Sequence, residues 1–354
     1  MTSPARHIAL CAALAAACCS FAVNAEPLYR IASTVPIKSA AAPQWDYLAF
    51  DTARGVLYIA RRDEGILAYD TRAKKFLGTL AHSEGGNAVV LAPQLGRGYI
   101  VHTDGGLTPF DLATRKTSSR LKLGDDADNG VYDAATGQVL VMMGDSQQIA
   151  LVDAKTGALR NRLHLDSEKI EAVAPDGAGK AYVALRDRNK VVRIDLASAK
   201  VEAEFATAPS CEQPNGMAYD AEHKRVLVGC RGASPVLAAL DADTGRIVAT
   251  TTIGRGNDMV IFDAGQHRVY TSNGVDANMV VIQQVDGDTY RLVEATNTRP
   301  NARTMAFDPD TKDIYLVAAE GTVDASKPWS RSVAPFYPNT YFKDTFTLLK
   351  LSRR

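Results

Sequence analysis

The chain has 354 residues, of which 46% are hydrophobic and 23% are charged, and its formal net charge at pH 7 is zero. This composition fits a globular protein, and a chain of this length can bury most of its apolar surface without needing disulfides or bound metals for stability. The charge balance excludes a bulk attraction to nucleic acid or to an anionic membrane, although a local basic patch is compatible with it.

Residues 1–25 carry the pattern of a secretory signal peptide. Arg6 supplies the positive start, an apolar run covers residues 8–23, and small residues at its end predict cleavage after Ala25. The run is shorter than the roughly 20 residues that a membrane-spanning helix needs, so we expect no transmembrane segment after cleavage. The protein is therefore predicted to be periplasmic or secreted. Lipoprotein processing at Cys18, which follows three alanines, is an alternative.

The cysteines of the mature chain predict one disulfide. Signal cleavage removes three of the five cysteines and leaves Cys211 and Cys230. An even number of cysteines in an exported protein indicates that they are paired. This disulfide would close a loop of about 20 residues and stabilise the fold by about 3 kcal/mol.

A repeat of 40–45 residues runs through the mature chain. Each unit contains two strands around an acidic or proline turn, then a strand that ends in Asp, then a further strand. The turn positions are Asp51, Pro93, Asp133, Pro175, Asp220, Asp263 and Asp308. Four strands at this period are typical of a propeller blade. The sequence therefore predicts an all-β protein, with residues 26–354 forming a single seven-bladed β-propeller domain of four antiparallel strands per blade.

The two ends of the mature chain are predicted to meet in the last blade. The seventh unit lacks a fourth strand, whereas residues 28–37 form an additional strand before the first unit. We expect this N-terminal strand to complete the seventh blade from its outer side. Closure of this kind removes an edge that would otherwise promote aggregation.

The turns after the third strands carry a family resemblance. The pattern Asp-Ala-x-Thr-Gly, at residues 153–157 and 241–245, resembles the YVTN or YncE-like family of exported bacterial propellers. The resemblance covers nearly all of the mature chain and implies the seven-bladed fold. It leaves the function open, because propellers carry many unrelated functions and the site has to decide between them.

One face of the propeller is predicted to carry the functional site. The loops that enter the first strands and the loops that follow the second strands meet there, at the mouth of the central channel. The candidate ligand-binding residues are Asp46, Asp128, Asn129, Glu171, Asn215, Asp258 and Arg303. The Cys211–Cys230 disulfide would fix the loop that carries Asn215.

A long loop at residues 320–345 is predicted to emerge on the same face. Its aromatic side chains are common contact residues, so we expect a partner to bind there. They are Trp329, Phe336, Tyr337, Tyr341 and Phe342.

The favoured function is binding of a small molecule or a protein at the channel mouth by a monomeric protein, without catalysis. An alternative is a metal-dependent hydrolase, because Pro-Asn-Gly at residues 214–216 resembles a metal-binding segment of gluconolactonase-like propellers. That resemblance implies a divalent metal cofactor on Asn215, with oxygen ligands from Glu171 and Asp258. The count of seven blades argues against it, because those enzymes have six.

Two further alternatives are weaker. A lyase of the virginiamycin B type is disfavoured, because His102 is the only histidine at the mouth. Nucleic-acid binding, which is associated with YncE-like propellers, would use mouth arginines and loop aromatics. Acidic neighbours dilute that arginine patch, which consists of Arg61, Arg62, Arg186, Arg188 and Arg231. Nucleophile-elbow, P-loop and dinucleotide-binding motifs are absent from the sequence.

Overall fold

Seven antiparallel sheets of four strands each form the protein, which confirms the predicted seven-bladed propeller. The computed structural model describes residues 27–326 and 338–354. Within these residues the helical structure consists of two short 3-10 turns, Pro93–Leu95 and Arg186–Arg188. No described helix is long and apolar enough to cross a lipid bilayer. The predicted signal peptide and the loop aromatics Trp329, Phe336 and Tyr337 lie outside the described residues.

The first strand, β1, belongs to the last blade, and the next four blades follow in chain order. Their strands are β1 (Tyr29–Pro36); β2 (Leu48–Asp51), β3 (Val56–Ala60), β4 (Ile66–Asp70) and β5 (Lys75–Thr79) in blade 1; β6 (Gly86–Ala92), β7 (Arg97–His102), β8 (Gly106–Asp111) and β9 (Leu121–Lys122) in blade 2; β10 (Asn129–Asp133), β11 (Gln138–Met143), β12 (Gln148–Asp153) and β13 (Leu159–His164) in blade 3; and β14 (Ile170–Pro175), β15 (Lys180–Leu185), β16 (Lys190–Asp195) and β17 (Lys200–Ala206) in blade 4.

The remaining blades complete the ring. Their strands are β18 (Pro214–Asp220), β19 (Arg225–Cys230), β20 (Val236–Asp241) and β21 (Ile247–Thr252) in blade 5; β22 (Asn257–Asp263), β23 (Arg268–Asn273), β24 (Asn278–Asp286) and β25 (Thr289–Asn297) in blade 6; and β26 (Met305–Phe307), β27 (Ile314–Ala318) and β30 (Thr347–Arg353) in blade 7. A small hairpin, β28 (Gly321–Thr322) with β29 (Thr340–Tyr341), lies within the long loop.

Each pair of neighbouring blades shares one hydrophobic core. Tyr58 of blade 1 packs edge-on against Phe110 of blade 2, with ring centroids 5.3 Å apart. Strands inside a blade are covered by neighbours on both faces, so they are apolar over most of their length. All six residues of β11 are buried, whereas the outermost strand β13 is mostly exposed. The blades therefore stack face to face, with the inner strands around the channel.

The N-terminal strand closes the ring as predicted. β1 pairs with β30 in antiparallel register, from Tyr29 opposite Arg353 to Pro36 opposite Thr347. The Tyr29 hydroxyl lies 3.0 Å from the Tyr270 hydroxyl of blade 6. The neighbouring blade also holds the start of β1, because Glu294 Oε2 accepts bonds from the backbone N–H groups of Leu28 and Tyr29 at 2.7 and 3.0 Å. Ring closure thus depends on blade 6 as well as on β30.

Candidate functional site

A cavity of about 700 Å³ opens at the mouth of the central channel. All seven blades contribute to its wall, because each inner strand begins at this face. The charged side chains that line it include Asp46 and Arg62 from blade 1, Asp128 from blade 3, Glu171 and Arg186 from blade 4, Arg231 from blade 5, Asp258 from blade 6 and Arg303 from blade 7. The predicted functional face and the cavity therefore coincide.

β-Bulges at the starts of the inner strands bring several polar residues towards the channel. The pairing register shifts between Gly86 and Ala88, between Ile170 and Val173, between Pro214 and Met217, and between Asn257 and Met259. A bulge re-aims the side chains of the extra residues. The residues at these irregular positions are Asn87, Glu171, Asn215 and Asp258.

Arg303 connects two carboxylates across the mouth. Its Nε lies 3.1 Å from Asp258 Oδ2, and its Nη2 lies 3.8 Å from Asp46 Oδ1. The same Nη2 donates to the backbone oxygen of Trp45 at 2.7 Å, and the guanidinium stands 5.1 Å from the centre of the Trp45 ring. Arg62 pairs with the other oxygen of Asp46 at 2.8 Å, and Arg231 pairs with Asp258. These two carboxylates are therefore each held by two arginines.

Glu171 and Asn215 form the adjoining part of the wall. Arg186 pairs with Glu171 at 3.0 Å and donates to Asn215 Oδ1 at 3.2 Å. The Asn215 amide nitrogen then donates to Asp258 Oδ1 at 3.0 Å. Burial raises the pKa of Glu171, and the charges of Arg186 and Arg231 oppose this shift. Asn215 is 1% exposed and lies behind the cavity wall, where it links the two ion-pair groups.

Asp128 differs from the other mouth carboxylates. Within the described residues no arginine or lysine forms an ion pair with it, and the Asn87 amide donates to its Oδ1 at 2.7 Å. Burial raises the pKa of Asp128 to about 8, with further contributions from the charges of Asp46 and Glu171. Asp128 is therefore mainly protonated at neutral pH.

Aromatic residues form another part of the cavity wall. Trp45 and Tyr341 meet with ring centroids 4.8 Å apart, so the long loop folds back over the mouth at this point. Tyr47 is 7% exposed, and its pKa is raised well above the usual value by burial and by the charges of the surrounding carboxylates. The cavity thus combines aromatic surface with closely packed charges.

The predicted site residues fall into three groups. Five of them line the cavity: Asp46, Asp128, Glu171, Asp258 and Arg303. Asn215 supports the wall from behind, and Asn129 takes no part in it, because its Oδ1 accepts a bond from the backbone N–H of Gly130 at 2.7 Å. Sequence reasoning missed Trp45 and Lys169, both at the cavity wall. The position of Trp45, directly before Asp46, was an available signal for the first of these.

The predicted Cys211–Cys230 disulfide is present and buried. Cys230 lies opposite Pro214 in the strand register, so the disulfide joins the strand ends from which Asn215 and Arg231 project. Gly216 lies where blades 5 and 6 approach closely, since a Cβ atom there would stand 2.8 Å from the Met259 Cα. The Pro-Asn-Gly segment is therefore the bulged start of β18.

The predicted metal ligands do not fit a divalent cation. Arg186 contacts both Glu171 and Asn215, and two arginines hold Asp258. The described part of the chain contains no group of three or more His, Cys, Asp or Glu residues arranged to hold a metal ion. A hard cation would have to displace guanidinium groups that already neutralise its oxygen ligands.

The arginine patch considered for nucleic acid is occupied as well. Each of its members pairs with a carboxylate. Arg61 pairs with Glu64 at 2.8 Å, and Arg188 pairs with Asp166 at 2.8 Å. Phosphate groups would compete with these internal partners, which weakens the case for a phosphate-binding surface.

Comparison with known proteins supports the propeller assignment. A family model described as PQQ_2, outer membrane protein assembly factor BamB, matches residues 103–330. Hydrazine synthase of Kuenenia stuttgartiensis superposes with a TM-score of 0.68 at 14% identity, covering 79% of this chain and 94% of that one. A chain in a crystal structure of the mitotic checkpoint complex superposes with a TM-score of 0.73 at 11% identity, covering 92% of this chain and 94% of that one. At these identities the structural likeness concerns the fold alone. A search of curated proteins gave no match.

Proposed function

This chain belongs to the PQQ_2 family, described as outer membrane protein assembly factor BamB, and we propose that it is an exported binding protein whose ligand occupies the channel-mouth cavity. The observation that carries the proposal is the cavity itself. It has a volume of about 700 Å³ and a wall of ion pairs contributed by the blades around the channel. Cavities of this size with a few convergent polar groups are typical of small-molecule sites.

The ion pairs support binding more than catalysis. Arginine contacts fix the mouth carboxylates of Asp46, Glu171 and Asp258, and the Cys211–Cys230 disulfide fixes two of the strand ends that carry this network. Side chains held in this way form a preorganised site, which lowers the entropic cost of binding. The family description names an assembly factor, which supports a protein partner on the same face, where Tyr341 of the long loop borders the cavity.

The test compares two alanine-to-tryptophan variants. Ala42→Trp places a large side chain at the cavity wall, whereas Ala53→Trp adds the same side chain to an exposed turn between β2 and β3. Thermal unfolding is measured with separate panels of amines, organic acids, sugars and nucleotides. We expect at least one compound to raise the melting temperature of the wild type and of Ala53→Trp but not of Ala42→Trp. Shifts that are equal in all three proteins, or none with any panel, would contradict the proposal.

Export is part of the proposal and needs its own test. The full chain with a C-terminal tag is expressed in a Gram-negative host and fractionated. We expect a periplasmic protein that begins at residue 26 and contains the oxidised Cys211–Cys230 pair, because disulfides form in that compartment. A cytoplasmic protein that retains residues 1–25 would refute the predicted export.

A further inference from the structure

Among the predicted mouth acids Asp46, Asp128, Glu171 and Asp258, only Asp128 has no ion-pair partner within the described residues. Asp46, Glu171 and Asp258 each have an arginine partner. The Asn87 amide bonds only to Oδ1 and to the backbone oxygen of Asp128, so the described residues leave Oδ2 without a donor. A donor supplied by a ligand could therefore bond to Asp128 without displacing any protein group.

The Tyr47 hydroxyl is a second unsatisfied group at the same place. Tyr47 is more than nine-tenths buried and lines the cavity, yet its hydroxyl has no hydrogen-bond partner within the described residues. Of the mouth carboxylates, Asp128 acts most strongly on Tyr47 through its charge. The hydroxyl is open to the cavity and is not sealed in the core, so a ligand or solvent can bond to it.

We propose that the cavity takes a ligand with a protonated amine, whose N–H groups donate to the Asp128 carboxyl and to the Tyr47 hydroxyl. This inference rests on the proposed function, since it names the chemical class of ligand for the same cavity. Its source is a free organic amine or a lysine side chain of a partner protein. Both present the same ammonium group.

The charge of the wall favours a cation over an anion. Seven acidic and five basic side chains line the cavity. A ligand carboxylate would have to separate an arginine from Asp46, Glu171 or Asp258, and breaking a buried pair is costly. An ammonium group meets no such competition at Asp128.

The other surfaces of the cavity favour an organic cation over a metal ion. A divalent metal needs several converging oxygen ligands, whereas Asp128 and Tyr47 offer a carboxyl and a hydroxyl. An ammonium group needs only two or three acceptors, and it is attracted to the faces of aromatic rings. Tyr341, which is partly exposed and packs on the buried ring of Trp45, supplies aromatic surface at the cavity wall.

Binding of an ammonium group changes the protonation of Asp128. The empty site holds Asp128 mainly protonated at pH 7, because burial raises its pKa to about 8. A cation at hydrogen-bond distance favours the charged carboxylate, so the Asp128 proton leaves to the buffer as the ligand binds. Binding should therefore release a proton at pH 7, and the release should decrease as the pH rises above the pKa of Asp128.

The experiment is calorimetry with 1,5-diaminopentane at pH 7 in phosphate and in Tris, whose different ionisation enthalpies report the protons released. Asp128→Asn keeps the shape of the neutral side chain, and Asp63→Asn is the matched control, since Asp63 is exposed and lies outside the cavity wall. We expect Asp128→Asn to bind at least about tenfold more weakly with no proton release, and Asp63→Asn to resemble the wild type. Equal losses in both variants, or unchanged binding by Asp128→Asn, would overturn the proposal.

Further probes separate this inference from the proposed function and identify the source of the amine. Glutarate and 1,5-pentanediol replace the ammonium groups by carboxylates and hydroxyls. If either of them binds in a manner blocked by Ala42→Trp while the diamine does not, the binding function stands and the amine proposal fails. A capped Gly-Lys-Gly peptide that binds more tightly than the diamine, with the same dependence on Asp128, assigns the amine to a protein partner. Tighter binding of the diamine assigns it to a free amine.

Discussion

Single residues at the mouth show how burial and neighbouring charges set the properties of a side chain. Asp46 and Asp128 both stand just before an inner strand, but only Asp46 has arginine partners. The consequence is that Asp128 holds its proton up to a pH of about 8. An unfolded chain would lose the same proton near pH 4.

The pH dependence of stability follows from this difference. Between pH 4 and pH 8 the folded state binds one more proton than the unfolded state, so Asp128 makes stability fall as pH rises, by at most about 1.4 kcal/mol per pH unit. Asp128→Asn removes this effect. We expect the free energy of unfolding of Asp128→Asn to exceed that of the wild type by an amount that grows from pH 4 to pH 8 and then stays constant. Urea unfolding at a series of pH values measures this difference in the free energy of unfolding. The control is Asp145→Asn, because Asp145 is exposed. Parallel pH profiles of Asp128→Asn and the wild type would contradict it.

The Arg186–Glu171 pair provides a second test at the residue scale. Both side chains are 11% exposed, so removal of one partner leaves a charge in a poorly solvated place. We expect Arg186→Met alone to destabilise the protein by about 3 kcal/mol. The double variant with Glu171→Gln should recover part of this loss, because the unpaired carboxylate is gone. Urea unfolding of the wild type, Arg186→Met, Glu171→Gln and the double variant gives the coupling energy of the pair. If the two single losses add up to the loss of the double variant, the pair does not interact.

At the scale of strands and loops, the disulfide connects stability to the site. Cys230 ends β19 and Arg231 follows it directly, while Cys211 precedes the strand that carries Asn215. Replacement of both cysteines by alanine should cost about 3 kcal/mol in the free energy of unfolding, measured with urea. Hydrogen exchange should rise in residues 207–216 and stay unchanged in blades 1 and 2. A uniform rise over all blades would contradict a local role for the disulfide.

The turns, bulges and ion pairs of the blades show which features the sequence could predict and which it could not. The repeat period and its turn residues were sufficient for the blades, because each turn has a local chemical cause. Asp133, for example, accepts bonds from the backbone and the hydroxyl of Thr136 at 2.8 and 2.6 Å. The bulges at Glu171 and Asp258 depend on pairing with another strand and were not predicted. The ion-pair partners were not predicted either, because Asp258 meets Arg231 and Arg303 only after the blades close into a ring. Asn129 was predicted to bind a ligand at the mouth, but its side-chain oxygen accepts a bond from the neighbouring backbone N–H of Gly130.

At the scale of the whole molecule, stability depends on a contact between the two ends of the chain. β1 covers the outer edge of β30, and without it blade 7 keeps three strands and an open edge. Tyr29 is 1% exposed and packs in the core shared by blades 6 and 7, so the loss of β1 also opens that core.

Deletion of residues 26–37 is therefore expected to unfold or aggregate the protein, since the deletion removes a buried aromatic anchor and exposes a strand edge that can pair with other chains. Size-exclusion chromatography and circular-dichroism melting measure the outcome. Glu294→Gln is a milder variant, because it keeps β1 but weakens the acceptor for the N–H groups of Leu28 and Tyr29. It should remain monomeric and melt a few degrees lower than the wild type, in line with the loss of about 1 kcal/mol for charge-assisted hydrogen bonds. A deleted chain that stays monomeric with an unchanged melting temperature would show that the ring does not need its N-terminal strand.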